Sequence, residues 1–499
     1  MPDTPQDDSK DGKKKREREQ VEARLALSPA VSSGSVALAD GRSLDYEATA
    51  EFVPVVETAF GEQRGDPRAA LFMISYRATA AAGPRPVCFA FNGGPGSSSV
   101  WLHLGALGPK RVVVPDDASM PAPPYAVVDN PLTWLAHFDL VFVDPPHTGW
   151  SLTDGEETRK KMLSVDGDVE ALTEGVRAWL TRHKRWGSAV YLAGESYGTT
   201  RGAALADALL SAGVALSGLV LVSCAMDLVS IFFGPKNLLP YSLFVPAFAN
   251  VAQFHGRLRG APAASPEAAR AAAEAFVQED YLAALHAGAG LSHDRRARVA
   301  RRLAELTGLP RALVEERNLR VSDFEFFFEL LRDEGRQVGR LDARATGPMP
   351  AKRDREFAFD PGIEAIAAPY AMAALAYYGE QLGMALPDRY ELLSIEAHKA
   401  WNWNRGDAKG NAYATTSDDL ARAMRRNPHL RVLVASGRYD LGTPYSATDW
   451  SLAQLDLTAD VLARVEHHYY DAGHMMYTRQ ADLEKLARDL GSWVAGTVS

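Results

Sequence analysis

The 499-residue chain is predicted to be α/β: a mostly parallel central sheet with helices on both faces, interrupted by a long helical insertion. Three observations predict this. Apolar runs at 86–91, 139–143, 190–193 and 216–223 alternate with helical patterns, as in a parallel sheet covered on both sides. The run 190–193 ends in Gly194-Glu195-Ser196-Tyr197-Gly198, a turn joining a buried strand to a helix. From about 228 to 412 the alternation stops and helical patterns take over, after which strands and helices alternate again.

Each element follows in order. Residues 1–28 carry clustered acids and bases and no apolar periodicity, so they read as a disordered, charged tail. From 29 to 227 runs the first part of the core. Alternating segments at 35–38, 44–53 and 71–76, with Asp40-Gly41 as a turn, suggest an antiparallel meander at a sheet edge. A helix over 165–182 has apolar residues at Val169, Leu172, Val176, Trp179 and Leu180. A second helix follows Ser196, to about 214. Residues 228–412 form the helical cap, with patterns at 265–286, 293–306, 310–316, 322–334 and 362–382. Its aromatic patches (Phe232-Phe233, Phe324 to Phe328, Trp401 and Trp403) read as cap core. The second part of the core, 413–499, holds a helix at 417–426, strands at 431–435 and 465–470, and a closing helix at 478–495.

Composition excludes several classes. A net charge of −9 argues against nucleic-acid binding, which needs a basic face. The two cysteines, Cys88 and Cys224, lie in apolar runs and suit a reducing compartment. The N-terminus shows no apolar signal region, and no 18-residue apolar stretch suggests a membrane span, so the expected location is the cytoplasm. No His-Glu-x-x-His cluster is present, and no metal or cofactor is expected.

Ser196 stands at the tip of the Gly-x-Ser-x-Gly turn. Gly194 and Gly198 lack a Cβ, so strand and helix can approach closely around it. A serine hydroxyl is a weak nucleophile until a base takes its proton and a third group orients that base. Asp440 follows strand 431–435 and His474 follows strand 465–470, so both fall in loops at carboxyl ends of strands. The order Ser196, Asp440, His474 is that of an α/β-hydrolase. His147 is the competing base; Asp471 and Asp449 are competing acids. Asn92-Gly93-Gly94-Pro95-Gly96 follows another strand, and the N–H groups of Gly94 and Tyr197 are expected to form an oxyanion hole.

These stretches resemble a known family. FNGGPGSSS (91–99), VDPPHTGWS (143–151), GESYGT (194–199), SGRYDLGTP (436–444) and AGHMMY (472–477) are similar to motifs of the serine carboxypeptidases, peptidase family S10, especially bacterial members without signal peptides. The resemblance implies an α/β-hydrolase fold and a peptide substrate with a free C-terminus, cleaved at its last bond. It also implies that Asn92 and Glu195 bind the substrate's terminal carboxylate. Two positions depart from the family: Ala90 replaces a tryptophan, and Ala106 replaces a second glutamate that would share a proton with Glu195. Without it, either another donor assists Asn92 or the preference for free C-termini is weaker. His103, one turn from 106 if 99–106 is a helix, is a candidate replacement. The alternative function is an esterase, amidase or acyltransferase on the same fold.

Overall fold

The computed structural model describes residues 10–57, 65–79, 83, 85–351, 358–405 and 413–496. Nine strands are labelled here: β1 (Ala30–Ala37), β2 (Ser43–Val56), β3 (Pro67–Ala78), β4 (Val87–Phe91), β5 (Asp139–Val143), β6 (Val190–Glu195), β7 (Leu216–Val222), β8 (Arg431–Gly437) and β9 (Val465–Tyr470). They lie side by side in the order β1-β2-β3-β5-β4-β6-β7-β8-β9, and the two-residue strand Leu152–Thr153 pairs with β3 to complete a ten-stranded sheet. β1 to β3 form an antiparallel meander, and β3 also runs antiparallel to β5. From β5 onward every neighbouring pair is parallel.

The inner strands are apolar on both faces because both faces are covered. In β4, Val87, Phe89 and Phe91 point to one apolar core and Cys88 and Ala90 to the other. The first core is closed by helices α2 (Val165–Arg182) and α3 (Tyr197–Ser211) and by Ser417–Arg426. The second is closed by α4 (Pro361–Glu380) and by Gln480–Ala495, whose Leu483, Leu486, Leu490 and Trp493 are buried. This is the α/β-hydrolase fold that the sequence predicts.

Between β7 and β8 the described residues are mainly helical. They enclose an apolar core of their own around Phe244, Phe248, Leu303, Phe326 and Phe328, which also takes in Tyr439, Leu441 and Tyr445 from the end of β8 onward. A two-stranded sheet, Arg336–Val338 with Thr346–Pro348, holds out the loop between its strands. Among the described residues no helix is long and apolar enough to cross a membrane.

The expected disordered tail is corrected in part. Residues 1–9 lie outside the described residues, but Lys10–Leu25 forms a helix, α1. Arg18 and Glu22 pair at 3.1 Å one turn apart. Val21 is buried and Leu25 packs beside it on the core. Two apolar residues four apart make a stripe too narrow to read among so many charges.

Candidate active site

β6 ends at Glu195, and Ser196 turns the chain with φ +60 and ψ −130. Such a backbone is unfavourable for a side-chain-bearing residue by about 1–3 kcal/mol and persists only when its surroundings hold it. Here the Ser196 N–H donates to the Val222 carbonyl (3.0 Å), and the Thr199 N–H (2.8 Å) and Thr199 hydroxyl (2.6 Å) donate to the Ser196 carbonyl. A Cβ on Gly194 would sit 2.2 Å from the Gly198 carbonyl oxygen. Ser196 is half-buried, while Glu195 and Tyr197 beside it are buried. The helix α3 begins at Tyr197, so its first N–H groups lack intrahelical acceptors.

Asp440 and His474 come from the loops after β8 and β9. His474 Nδ1 lies 2.7 Å from Asp440 Oδ2. Thr443 adds a hydroxyl bond to Asp440 Oδ2 (2.7 Å) and lies 3.2 Å from His474 Nδ1. The N–H groups of Gly442 and Thr443 donate to Asp440 Oδ1 at 2.7 and 3.0 Å. Burial works to raise the Asp440 carboxyl, but the His474 charge and the bonds from His474 and Thr443 prevail and hold it below its ordinary value. Burial works to lower His474, yet Asp440 and Glu195 prevail and raise it. With Nδ1 engaged, Nε2 is the nitrogen left for a substrate-side role.

Ser196 and His474 are tied to consecutive residues. Ser196 bonds to Val222, and the His474 carbonyl accepts the Ser223 hydroxyl at 2.5 Å. Among the described residues no hydrogen bond joins the Ser196 hydroxyl to His474. The competing groups are occupied elsewhere. His147 Nε2 lies 2.9 Å from the Thr153 hydroxyl. Asp471 pairs with Arg438, and Asp449 with His467 and Arg270.

The Asn92–Gly96 loop presses on the start of α3. A Cβ on Gly93 would lie 2.4 Å from the Tyr197 nitrogen and 2.6 Å from the Gly198 nitrogen, so only glycine fits. Gly94 has φ +100, a conformation that glycine adopts freely. Arg201, fully buried on α3, donates from Nη1 to the Asn92 carbonyl (2.6 Å) and from Nε to Asp168 Oδ2 (2.6 Å). Its guanidinium lies over the Phe91 and Tyr197 rings, 5.3 and 5.2 Å from their centroids. Arg201 thus joins the residues that flank the glycine loop to those that flank Ser196.

Next to Ser196, Glu195 Oε1 accepts from Asn92 Nδ2 at 2.8 Å and Oε2 accepts from the Tyr477 hydroxyl at 2.6 Å. Burial raises the Glu195 carboxyl to about 7, against the His474 charge and the two hydrogen bonds. Among the described residues no group of three or more His, Cys, Asp or Glu side chains is arranged to hold a metal ion.

The serine carboxypeptidase family, peptidase family S10, is matched over residues 57–227. Over this stretch, about a third of its length, the chain is similar to that family. It is an enzyme, a serine hydrolase. Among solved structures it is similar to Kex1, a prohormone-processing carboxypeptidase from Saccharomyces cerevisiae. The two share 14% identity over 89% of this chain and 91% of that one, with a TM-score of 0.52. A proline iminopeptidase from Mycobacterium smegmatis (12% identity, 90% and 98% coverage, TM-score 0.36) and a putative aryl esterase from Burkholderia cenocepacia (12% identity, 93% and 99% coverage, TM-score 0.36) lie further away. No curated protein matches the chain.

The expectation for His103 is corrected. Residues Val100–Leu102 form a short α-helical turn, but His103–Leu107 winds as a π-helix, which resets the side-chain directions. The His103 ring lies 2.7 Å from the Tyr76 hydroxyl and 3.1 Å from that of Tyr378, and stacks on Phe142. Burial lowers it to about 3. None of its bonds reaches Asn92 or Glu195. Instead Tyr477 contacts Glu195, a residue quoted within AGHMMY but assigned no part. Thr443, Arg201 and Asp168 were also missed. Arg201 lies one helical turn beyond Tyr197 in α3, and a lone arginine in an Ala- and Leu-rich helix next to the Ser196 turn is the signal that could have found it.

Proposed function

We propose that this enzyme removes the C-terminal residue of peptides through an acyl-enzyme on Ser196. In this reading Ser196 is the nucleophile, His474 the general base and then acid, and Asp440 the group that holds the imidazole. The N–H groups of Gly94 and Tyr197 take the oxyanion, and Asn92 and Glu195 meet the substrate's terminal carboxylate. The observation that carries the reading is the 2.7 Å pair of His474 and Asp440, with His474 bonded to the strand end that also holds Ser196.

The Ser196 Oγ–H proton passes to His474 Nε2 while Oγ bonds to the acyl carbon. The carbonyl oxygen becomes an oxyanion. As the C–N bond breaks, His474 gives the proton to the leaving amine, and the terminal amino acid departs. Water then loses a proton to His474 and attacks the ester; cleavage of the ester C–O bond returns the proton to Ser196.

A second reading, an esterase, amidase or acyltransferase with weaker recognition of free C-termini, is favoured by one feature, the buried Ala106 in place of a carboxyl. One experiment separates them. An N-blocked dipeptide, its C-terminal amide and a simple ester are offered to the wild type and to Ser196→Ala. Release of the terminal amino acid by the wild type, lost in Ser196→Ala, is expected. Turnover of the ester alone would sink the peptidase reading.

A further inference from the structure

Both carboxyl oxygens of Glu195 are engaged. The Leu102 N–H donates to Asn92 Oδ1 at 3.0 Å, which turns Nδ2 toward Glu195. On the other carboxyl oxygen sits the Tyr477 hydroxyl. Small residues make its position possible. Ala106 is buried, and a Cβ on Gly105 would lie 2.3 Å from the Tyr477 ring and 2.8 Å from the Tyr370 hydroxyl. Two neutral donors therefore clasp Glu195, one on each oxygen.

We propose that Tyr477 is a specificity-determining residue that takes the place of a second carboxyl, orienting Glu195 so that a single proton on it bridges to the terminal carboxylate of a peptide substrate. The inference rests on the carboxypeptidase reading. A neutral Glu195 donates its O–H to an anionic carboxylate; an ionised one repels it. The titratable groups facing Glu195 are His474 and Asp440 from the loops after β8 and β9, Tyr477 from the His474 loop, and Tyr370 from α4. Burial raises both phenols, so they stay neutral while Glu195 titrates. With Glu195 raised to about 7, recognition of the free acid ends in one proton step near neutral pH.

The test follows kcat/KM for an N-blocked dipeptide and for its C-terminal amide from about pH 5 to about pH 9. Both substrates need neutral His474, so their ratio isolates Glu195. In the wild type the acid-to-amide ratio should fall about tenfold per pH unit beyond neutrality. In Glu195→Gln the ratio should be flat. Tyr477→Phe keeps the ring that packs on Gly105 and removes only the donor. A hydroxyl donor stabilises the ionised carboxylate, so its loss should move the midpoint to higher pH. It should also lower the acid-to-amide ratio at acidic pH about tenfold, as Glu195 loses its fixed orientation. A wild type with a clear free-acid preference and a Tyr477→Phe variant with the same ratio and midpoint would overturn the inference alone. A wild type with no free-acid preference would overturn the carboxypeptidase reading and the inference together.

Discussion

Asp440 is buried and accepts hydrogen bonds from two backbone N–H groups, the Thr443 hydroxyl and His474. In the proposed mechanism this fixes the imidazole tautomer with Nε2 toward the substrate. Asp440→Asn should therefore lower kcat by about four orders of magnitude while the fold persists; steady-state kinetics and a thermal melt together check this. The raised His474 also sets a pH limb. A base must be neutral to act, so the acidic limb of kcat/KM for the amide substrate should lie above the ordinary histidine value near 6.5. At this scale the positions of Ser196 and Asp440 at strand ends were legible, because each follows an apolar run; His474 follows Val465–Tyr470, a half-buried strand with a glutamate and two histidines, which was the weaker signal. Thr443 and Tyr477 were not, since nothing in a one-dimensional pattern marks which hydroxyl will meet which carboxylate.

At the element scale, one buried ion pair ties three segments together at the site. The start of α3, the glycine loop after β4 and α2 meet around the Arg201–Asp168 pair, both side chains fully buried. Arg201→Met would leave the Asp168 carboxylate buried without its partner, a loss of about 3–5 kcal/mol, readable by chemical denaturation. Gly93→Ala acts differently. Its added methyl would meet backbone nitrogens of Tyr197 and Gly198, which no side-chain motion relieves, so the loop must shift away from α3. If that shift removes one oxyanion donor, turnover should fall about a hundred- to a thousandfold. Element types in the parallel sheet were legible from their apolar runs. The winding at 100–107 was not: a change from an α to a π turn there redirects His103 with no trace in apolar spacing.

Across the whole molecule, the insertion and the core are joined at the site itself. Asp360 caps α4 through the Gly362 N–H (2.9 Å) and accepts the Arg340 and Leu341 N–H groups at 2.9 and 3.1 Å. The carbonyls of those two residues in turn accept the N–H groups of Leu441 (2.9 Å) and His474 (2.6 Å). One carboxylate thus organises a helix start, the loop between Val338 and Thr346, and through it the loops that carry Asp440 and His474. Asp360→Ala should cost about 1 kcal/mol as a lost cap and lower kcat more than KM changes, because the loops lose their register. Ser265 caps another helix, Pro266–Phe276, by accepting the Ala268 N–H; equal effects on Asp360→Ala and Ser265→Ala would contradict this coupling. Such long-range joins escape a sequence reading, since residues 340–343 and 360 lie far along the chain from 441 and 474.

Activation of Ser196 by His474 is the step on which every later one depends. A fluorophosphonate probe followed by intact-mass and peptide-mass analysis measures this directly. A single adduct is expected, on Ser196, formed faster as pH rises through the His474 titration and abolished in His474→Ala. An unlabelled wild type, or equal labelling of wild type and Ser196→Ala, would contradict it.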